Sequence, residues 1–343
     1  MNAVEDVRQL LGGLDPALDG RTGDEERRRR DLTRILASDR TARADPQKVW
    51  RRRLVLAASA AVLAVAAGAV ALESAREPQP AFAATPAILT FGPPASAEAA
   101  NMRLRHLAEV AAARPVLQRP AGTVEYLEST NWFLNSSISG GRTASAVVPQ
   151  QWRSWRTDDD AGRMDKRSLP PTFRSEADRR EWQRRGGRVD SSQEVSDYAA
   201  GEFSGWTGAV PTDAAALREW LAGGLRPDLG PVQHLENVAQ LAGVRLLNPA
   251  QRATALRLLA DLPGIAVSGT VTDRAGRRGE AFSILSNAHG LPAQYTVIVD
   301  PDTGGLLGYE EVLTTTAGKL NVTVPAVVTY RSYLVAEYAA MPR

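Results

Sequence analysis

Residues 249–299 read PAQRATALRLLADLPGIAVSGTVTDRAGRRGEAFSILSNAHGLPAQYTVIV. Within this stretch the apolar period changes. Ala253, Leu256, Leu259 and Ala260 recur at helical spacing after the start signal Asn248-Pro249, and Pro263-Gly264 stops the helix. From Ile265 onward the period is two. Residues 265–273, 279–287 and 293–299 read as strands, with Ala275-Gly276-Arg277 as a turn between the first two. Asp300-Pro301-Asp302-Thr303-Gly304 is a further turn, and 305–316 (GLLGYEEVLTTT) a fourth strand. A last strand is expected over 323–337, where Val324, Val327, Val328, Tyr330, Tyr333 and Val335 cluster.

Upstream, the same reading gives a helix at 100–114, with Leu104, Leu107, Ala108 and Ala111 on one face. Strands follow at 123–134 and 143–157. Trp152 and Trp155 fall on opposite faces of the second, so one of them is available to a ligand if the other packs in the core. Residues 163–209 are polar and read as a long surface excursion. Thr212 or Asp213 caps a helix running to Gly223, and 231–246 carries another helical stripe. Strands in sequence order with helices grouped between them predict an α+β domain, its antiparallel sheet curved around the helices.

That domain is preceded by a different kind of sequence. Residues 54–72, LVLAASAAVLAVAAGAVAL, contain no charge and no proline. As a helix they span roughly 28 Å, the thickness of a hydrocarbon core. Their eight Leu and Val contribute about −2 to −5 kcal/mol of insertion free energy. Lys48, Arg51, Arg52 and Arg53 precede the span, whereas Glu73, Arg76 and Glu77 follow it. The positive-inside rule therefore places the N-terminus in the cytoplasm and the α+β domain outside. The competing reading is a cleaved leader, with Ala81-Phe82-Ala83 as a small-x-small site and Arg51-Arg52 as a twin-arginine signal. The expected organisation is a cytoplasmic head (1–53), a transmembrane helix (54–72), a Pro/Ala-rich stalk (73–100) and an extracytoplasmic domain (101–343).

Composition narrows the function. The 343 residues hold 41 Lys+Arg, 39 Asp+Glu and no cysteine, which excludes disulfides, thiolate catalysis and Cys-ligated metals. Residues 1–53 carry 13 of the bases and 10 of the acids. The basic pI of about 9.0 thus belongs to the head, and the large domain lacks the basic stripe that nucleic acid requires. His106, His234 and His289 are the only histidines, and no HExxH, GxSxG, P-loop or GxGxxG occurs. Asp300-x-Asp302 opens like a calcium loop but has Gly304 at the fifth position, where a ligand is needed. No enzyme activity, metal or cofactor is expected.

In the head, Val4, Val7, Leu10, Leu11 and Leu14 follow helical spacing and make an apolar stripe with nothing in the head to bury it. Two readings stand: a cytoplasmic partner docks on it, or the head is a basic tail touching anionic lipid.

Three groups of residues carry a family resemblance. The first is the start Asn2-Ala3-Val4-Glu5-Asp6-Val7-Arg8 with the flank Trp50-Arg51-Arg52-Arg53. The second is Pro211-Thr212-Asp213 leading into Ala216-Leu217-Arg218. The third, and most specific, is 251–265 running into Gly269-Thr270-Val271-Thr272-Asp273-Arg274 and the turn Val299–Gly304. The chain resembles a family of uncharacterised actinobacterial single-pass membrane proteins, often encoded beside extracytoplasmic-function sigma factors. The resemblance implies a membrane-bound regulator similar to anti-sigma factors, whose cytoplasmic partner is a sigma factor. It carries over no catalytic residue. The outer curved sheet resembles the half-barrel sensor domain of lipoprotein carriers and some envelope-stress regulators, which implies an apolar ligand.

The charge asymmetry around 54–72 generates a topology test. Alkaline phosphatase fused to the C-terminus is expected to be active, and the same enzyme fused after Pro46 inactive. The reverse pattern would refute the orientation, and a mature N-terminus just after Ala83 would show cleavage.

Overall fold

The computed structural model describes residues 84–342 except 140, 141, 174, 204, 205, 223–229 and 321. The head, the apolar span and the stalk up to residue 83 lie outside the described residues, as do Val4, Val7, Leu10, Leu11, Leu14 and the helix stop at Gly223. Among the described residues no helix is long and apolar enough to cross a membrane.

Among the described residues nine strands and five helices follow one another in an α+β arrangement. Helix α1 (Ala100–Ala112) precedes strands β1 (Thr123–Ser139), β2 (Arg142–Arg156) and β3 (Gly162–Ser168). Helix α2 (Glu176–Arg184) and strand β4 (Ser192–Tyr198) come next, then helices α3 (Ala214–Leu221), α4 (Pro231–Ala242) and α5 (Pro249–Ala260). Strands β5 (Ala266–Thr272), β6 (Arg278–Ser286), β7 (Ala293–Val299), β8 (Leu306–Leu313) and β9 (Ala326–Ala340) complete the chain. They form one open antiparallel sheet in the order β4-β3-β2-β1-β9-β8-β7-β6-β5. Two meanders, β1–β4 and β5–β9, are thus joined edge to edge by β1 and β9. Register shifts interrupt the β5–β6, β7–β8, β8–β9 and β1–β9 ladders, and each one bends and twists its strand.

Local chemistry explains the helices. Asn248 accepts a hydrogen bond from the Gln251 amide at 2.9 Å, and Gln251 Oε1 accepts one from the Asn248 amide at 2.9 Å, a capping box with Pro249 in the first turn. The Asp213 carboxylate accepts from the Ala215 and Ala216 amides at the start of α3. Helix α5 is buried on nearly every side through Ala253, Ala255, Leu256, Leu258, Leu259 and Ala260. It packs against α1, α3 and α4. Gly304 has φ +62°, and a Cβ there would lie 2.5 Å from the Ala111 Cβ, so the β7–β8 turn docks on α1 only as glycine. The core joins this helical layer to Phe282, Ile284, Tyr295, Val297 and Val299 of the sheet.

Two expectations are corrected. Residues 163–209 are not merely a surface excursion: they supply β3, α2 and β4, which extend the sheet. The strand sequences GRMDKRS and SQEVSDY lack apolar alternation, and most of their side chains are half-buried or exposed. Cross-strand polar pairs hold them instead. Arg163 Nε donates to Asp197 at 2.7 Å, while Asp165 accepts from both Arg153 and Gln193. Charged residues at a sheet edge also discourage further pairing. The second correction concerns the stalk. The Gly92 amide donates to the Thr270 carbonyl at 2.8 Å, and Leu89 and Phe91 pack on Val271, Ala281, Ile298 and Leu307. The folded part therefore begins by residue 89, before the expected boundary at 101. The partner residue Gly269 is required: a Cβ there would lie 2.0 Å from the Gly92 oxygen.

A buried ion pair pins the β2–β3 turn to the loop that runs from β4 to α3. Arg156, 2% exposed, donates through Nε to Asp160 Oδ1 at 2.9 Å and through Nη2 to the Trp206 carbonyl at 2.8 Å. Asp160 Oδ2 accepts from the Gly208 amide at 2.7 Å. Asp160 has φ +61°, a conformation that asparagine also tolerates. Asp160→Asn is expected to cost about 3 kcal/mol, because it strands a buried guanidinium. Asp197→Asn, at the exposed pair, should leave the urea midpoint unchanged. Equal midpoints for the two variants would refute the distinction.

Candidate functional site

Helix α4 and strands β7 and β8 enclose a group of polar side chains on the helix-covered face. Along α4, Val232, Leu235, Val238 and Ala239 bury the apolar stripe, and Glu236 lies beside it. On β8, Tyr309 and Glu311 are two apart and share a face. Tyr295 stands directly opposite Glu311 in the β7–β8 register. His289 comes from the loop between β6 and β7. Its Nε2 lies 3.0 Å and 3.1 Å from the two Glu236 oxygens, and the Tyr309 hydroxyl donates to Glu236 Oε1 at 3.2 Å. The His289 and Tyr295 rings are 5.7 Å apart. The Tyr295 hydroxyl finds no partner in hydrogen-bonding geometry among the described residues.

Burial sets the electrostatics of this cluster. Glu311 is pushed up to about 7, first by loss of water and then by the charge of Glu236, with His289 acting in the opposite direction. Tyr309 is raised well above the ordinary phenol value by burial, then by Glu236 and Glu311. Tyr295 is raised for the same reasons. Two carboxylates sharing one low-dielectric space cannot both be charged cheaply, so the cluster holds a proton on Glu311 at mildly acidic pH. Glu236 ties α4 to the sheet and to the β6–β7 loop through Tyr309 and His289.

The neighbouring carboxylate points the other way. Glu310 accepts from Arg274 Nε at 3.0 Å and Nη2 at 2.7 Å, and the Leu89 backbone also stabilises its charge. Burial still raises it. Arg274 lies 5.1 Å over the Tyr330 ring, which stacks on Trp132 at 5.5 Å. Between the sheet and residues 88–91 is a cavity of about 290 Å³, with Ile88, Phe91 and Val312 as apolar walls and Thr296, Glu310 and Thr314 as polar ones.

The other sequence candidates do not converge. His106 is exposed, and His234 is held below its ordinary value by burial and then by Arg218. Asp300 accepts from the Asp302 amide and the Thr303 hydroxyl, which closes a turn. Among the described residues no group of three or more ligands could hold a metal. Trp152 and Trp155 do take opposite faces: Trp152 lies beside Phe133, Trp155 beside Tyr126. Sequence reasoning missed the Glu236–His289 pair, which joins residues 53 apart. The available signal was Glu310-Glu311 within the apolar run GLLGYEEVL, since a central strand covered on both faces must bury both acids. Comparison with known proteins finds no match to a family model, a curated protein or a solved structure.

Glu311 generates a pH prediction. Its folded-state value near 7 exceeds the ordinary 4.5, so between these values the folded state binds more protons than the unfolded one. This contribution is present at low pH and is lost as pH rises, about 3 kcal/mol over the whole interval. Glu311→Gln should melt with a flatter pH dependence than the parent between pH 5 and 8, and be the more stable of the two at pH 8. Parallel melting curves across that range would disprove the assignment.

Proposed function

We propose that the chain is a single-pass membrane signalling regulator, with an outer sensor domain and a cytoplasmic head that docks a partner such as a sigma factor. The observation that carries this reading is the uncharged span 54–72, with four cations on its N-terminal flank and a folded α+β domain on the other side. The head stripe Val4, Val7, Leu10, Leu11 and Leu14 supplies the docking surface. An isolated helix that short is marginal in water, and burial against a partner offsets its cost. The resemblance to membrane proteins encoded beside extracytoplasmic-function sigma factors supports the same choice of partner. The antiparallel sheet with helices on one face agrees with a half-barrel sensor of the lipoprotein-carrier kind.

The fold offers a route for the signal. The segment leaving the proposed anchor is laid on the sheet: Gly92 is bonded to Thr270, Leu89 and Phe91 are packed on the outer face, and the Leu89 backbone serves Glu310. A change in the sheet is thereby transmitted to residues that lead toward the membrane. A second reading, a tethered extracytoplasmic binding protein for an apolar ligand, is favoured by the cavity under 88–91.

The head decides between them. Val7 and Leu11 are four apart on one helical face and each contributes about 1.5–3 kcal/mol when buried. Val7→Asp with Leu11→Asp is therefore expected to weaken docking by at least about 100-fold. Transcription from the partner sigma factor's promoters should rise while protein level and membrane insertion stay the same. An unchanged transcriptome with the double variant correctly inserted would eliminate the docking role.

A further inference from the structure

The cross-strand register places four side chains on the helix-covered face, beyond the Glu236 cluster. Arg331 stands opposite both Tyr309 and Asn131. Phe133 and Ser129 flank Asn131 at two-residue spacing and share its face. Trp152 pairs with Ser129, and Lys166 pairs with Trp152. Arg331, Phe133, Trp152 and Lys166 thus line one patch across β9, β1, β2 and β3.

The geometry within it is tight. The Phe133 and Trp152 rings are 5.7 Å apart. The Arg331 guanidinium carbon lies 5.8 Å from the Phe133 centroid and 5.9 Å from that of Trp152. Lys166 Nζ lies 4.9 Å from the Trp152 centroid. Trp152 Nε1 donates to Gln150 Oε1 at 2.8 Å, which fixes the ring.

Both cations lack counter-ions among the described residues. Arg103, Arg156, Arg274 and Arg277 each meet a buried carboxylate. Arg331 and Lys166 meet none within ion-pair distance among the described residues, and Arg331 Nε is buried without a hydrogen-bond partner. Glu194, opposite Lys166, is exposed and acts on it only at longer range. Burial lowers the Lys166 amine below its usual value. Each cation is met by ring faces, which compensate for a missing counter-ion only in part. An anion drawn to the patch would satisfy the guanidinium, while the rings would stack against whatever carries it.

We propose that this patch is a binding site for a phosphate or carboxylate carried on an apolar body, with Arg331 and Lys166 receiving the anion and Trp152 and Phe133 the body. The proposal rests on the sensor reading only for the use made of the ligand. The binding measurement and the transcription test of the head read different quantities, so either can fail alone.

The test uses the full chain in nanodiscs of zwitterionic lipid and follows tryptophan fluorescence on addition of hexyl phosphate, hexanol or inorganic phosphate. Hexyl phosphate should bind saturably, inorganic phosphate more weakly, and hexanol without saturation. Arg331→Gln and Lys166→Gln should each weaken hexyl phosphate at least tenfold, whereas Arg331→Lys should retain most of the affinity. Affinity in the parent should fall as salt rises, a result that needs no variant to fold. If anionic phosphatidylglycerol in the nanodisc competes with hexyl phosphate, the site is confirmed and the bilayer is a source of its ligand. If it does not compete with saturable binding, the site takes soluble anions. Equal responses to hexyl phosphate and hexanol, no loss in either glutamine variant, or affinity indifferent to salt would overturn the proposal.

Discussion

Everything else in the domain waits on the pairing of β1 with β9. Thr123 stands opposite Ala340 and Phe133 opposite Thr329, so the two strands close a loop that contains nearly the whole described chain. Closing so long a loop is entropically costly, and the cost is recovered only when many residues pair at once. The ladder runs through eleven residue pairs and places the polar meander β1–β4 beside the apolar meander β5–β9. Without it β1–β4 would have one short, weakly covered sheet of its own. With it, β9 becomes a central strand, and Tyr330 and Arg331 are fixed between two neighbours.

The helical layer follows from the same constraint. A sheet of this size exposes an apolar face over β6–β8, and α5 fills the space above it with alanines and leucines while α1, α3 and α4 surround it. Gly304 lets the β7–β8 turn approach α1, and Tyr333 of β9 donates its hydroxyl to the Ala239 carbonyl of α4. The helices are therefore held by the strand that holds the two meanders together. Polar groups caught in this closure are mostly satisfied. Glu280 takes Arg103, Glu310 takes Arg274, Asp273 takes Arg277 and Asp160 takes Arg156. Breaking such pairs is costly, so they fix alignment even where their net contribution to stability is small.

The legible part of the fold was the part with a clean period. From Pro249 to Leu313 a helix gives way to strands of alternating or continuous apolar character, and the turn residues Pro263-Gly264 and Asp300–Gly304 punctuate them. Helix starts at Asp213 and Asn248 were visible because capping is a local property. Strands β3 and β4 were hidden, since strand character there comes from partners such as Arg163 with Asp197 and not from alternation. The packing of Leu89 and Phe91 was hidden too: a Pro-rich segment reads as a linker until a sheet edge accepts its amide. The Glu236–His289 contact depends on a helix and a loop meeting through tertiary packing, for which single-chain spacing carries no signal.

The three unusual charge groupings are distributed over both faces of the sheet. Glu310 and Glu311 are adjacent on β8, yet one faces Arg274 and the chain that leads back toward residue 83, and the other faces Glu236 on α4. Arg331 pairs in register with Tyr309, two residues before Glu311 on the same face. A displacement of β8 would therefore change, together, the buried acid pair under α4, the cation patch on β9 and the carboxylate that meets the Leu89 backbone. Packed strands do not shift independently, because one-residue slips would turn every side chain to the wrong face. Coupling between the two faces then needs no hinge: it requires only that β8 have two arrangements of small difference in free energy, with one set of side chains preferring each.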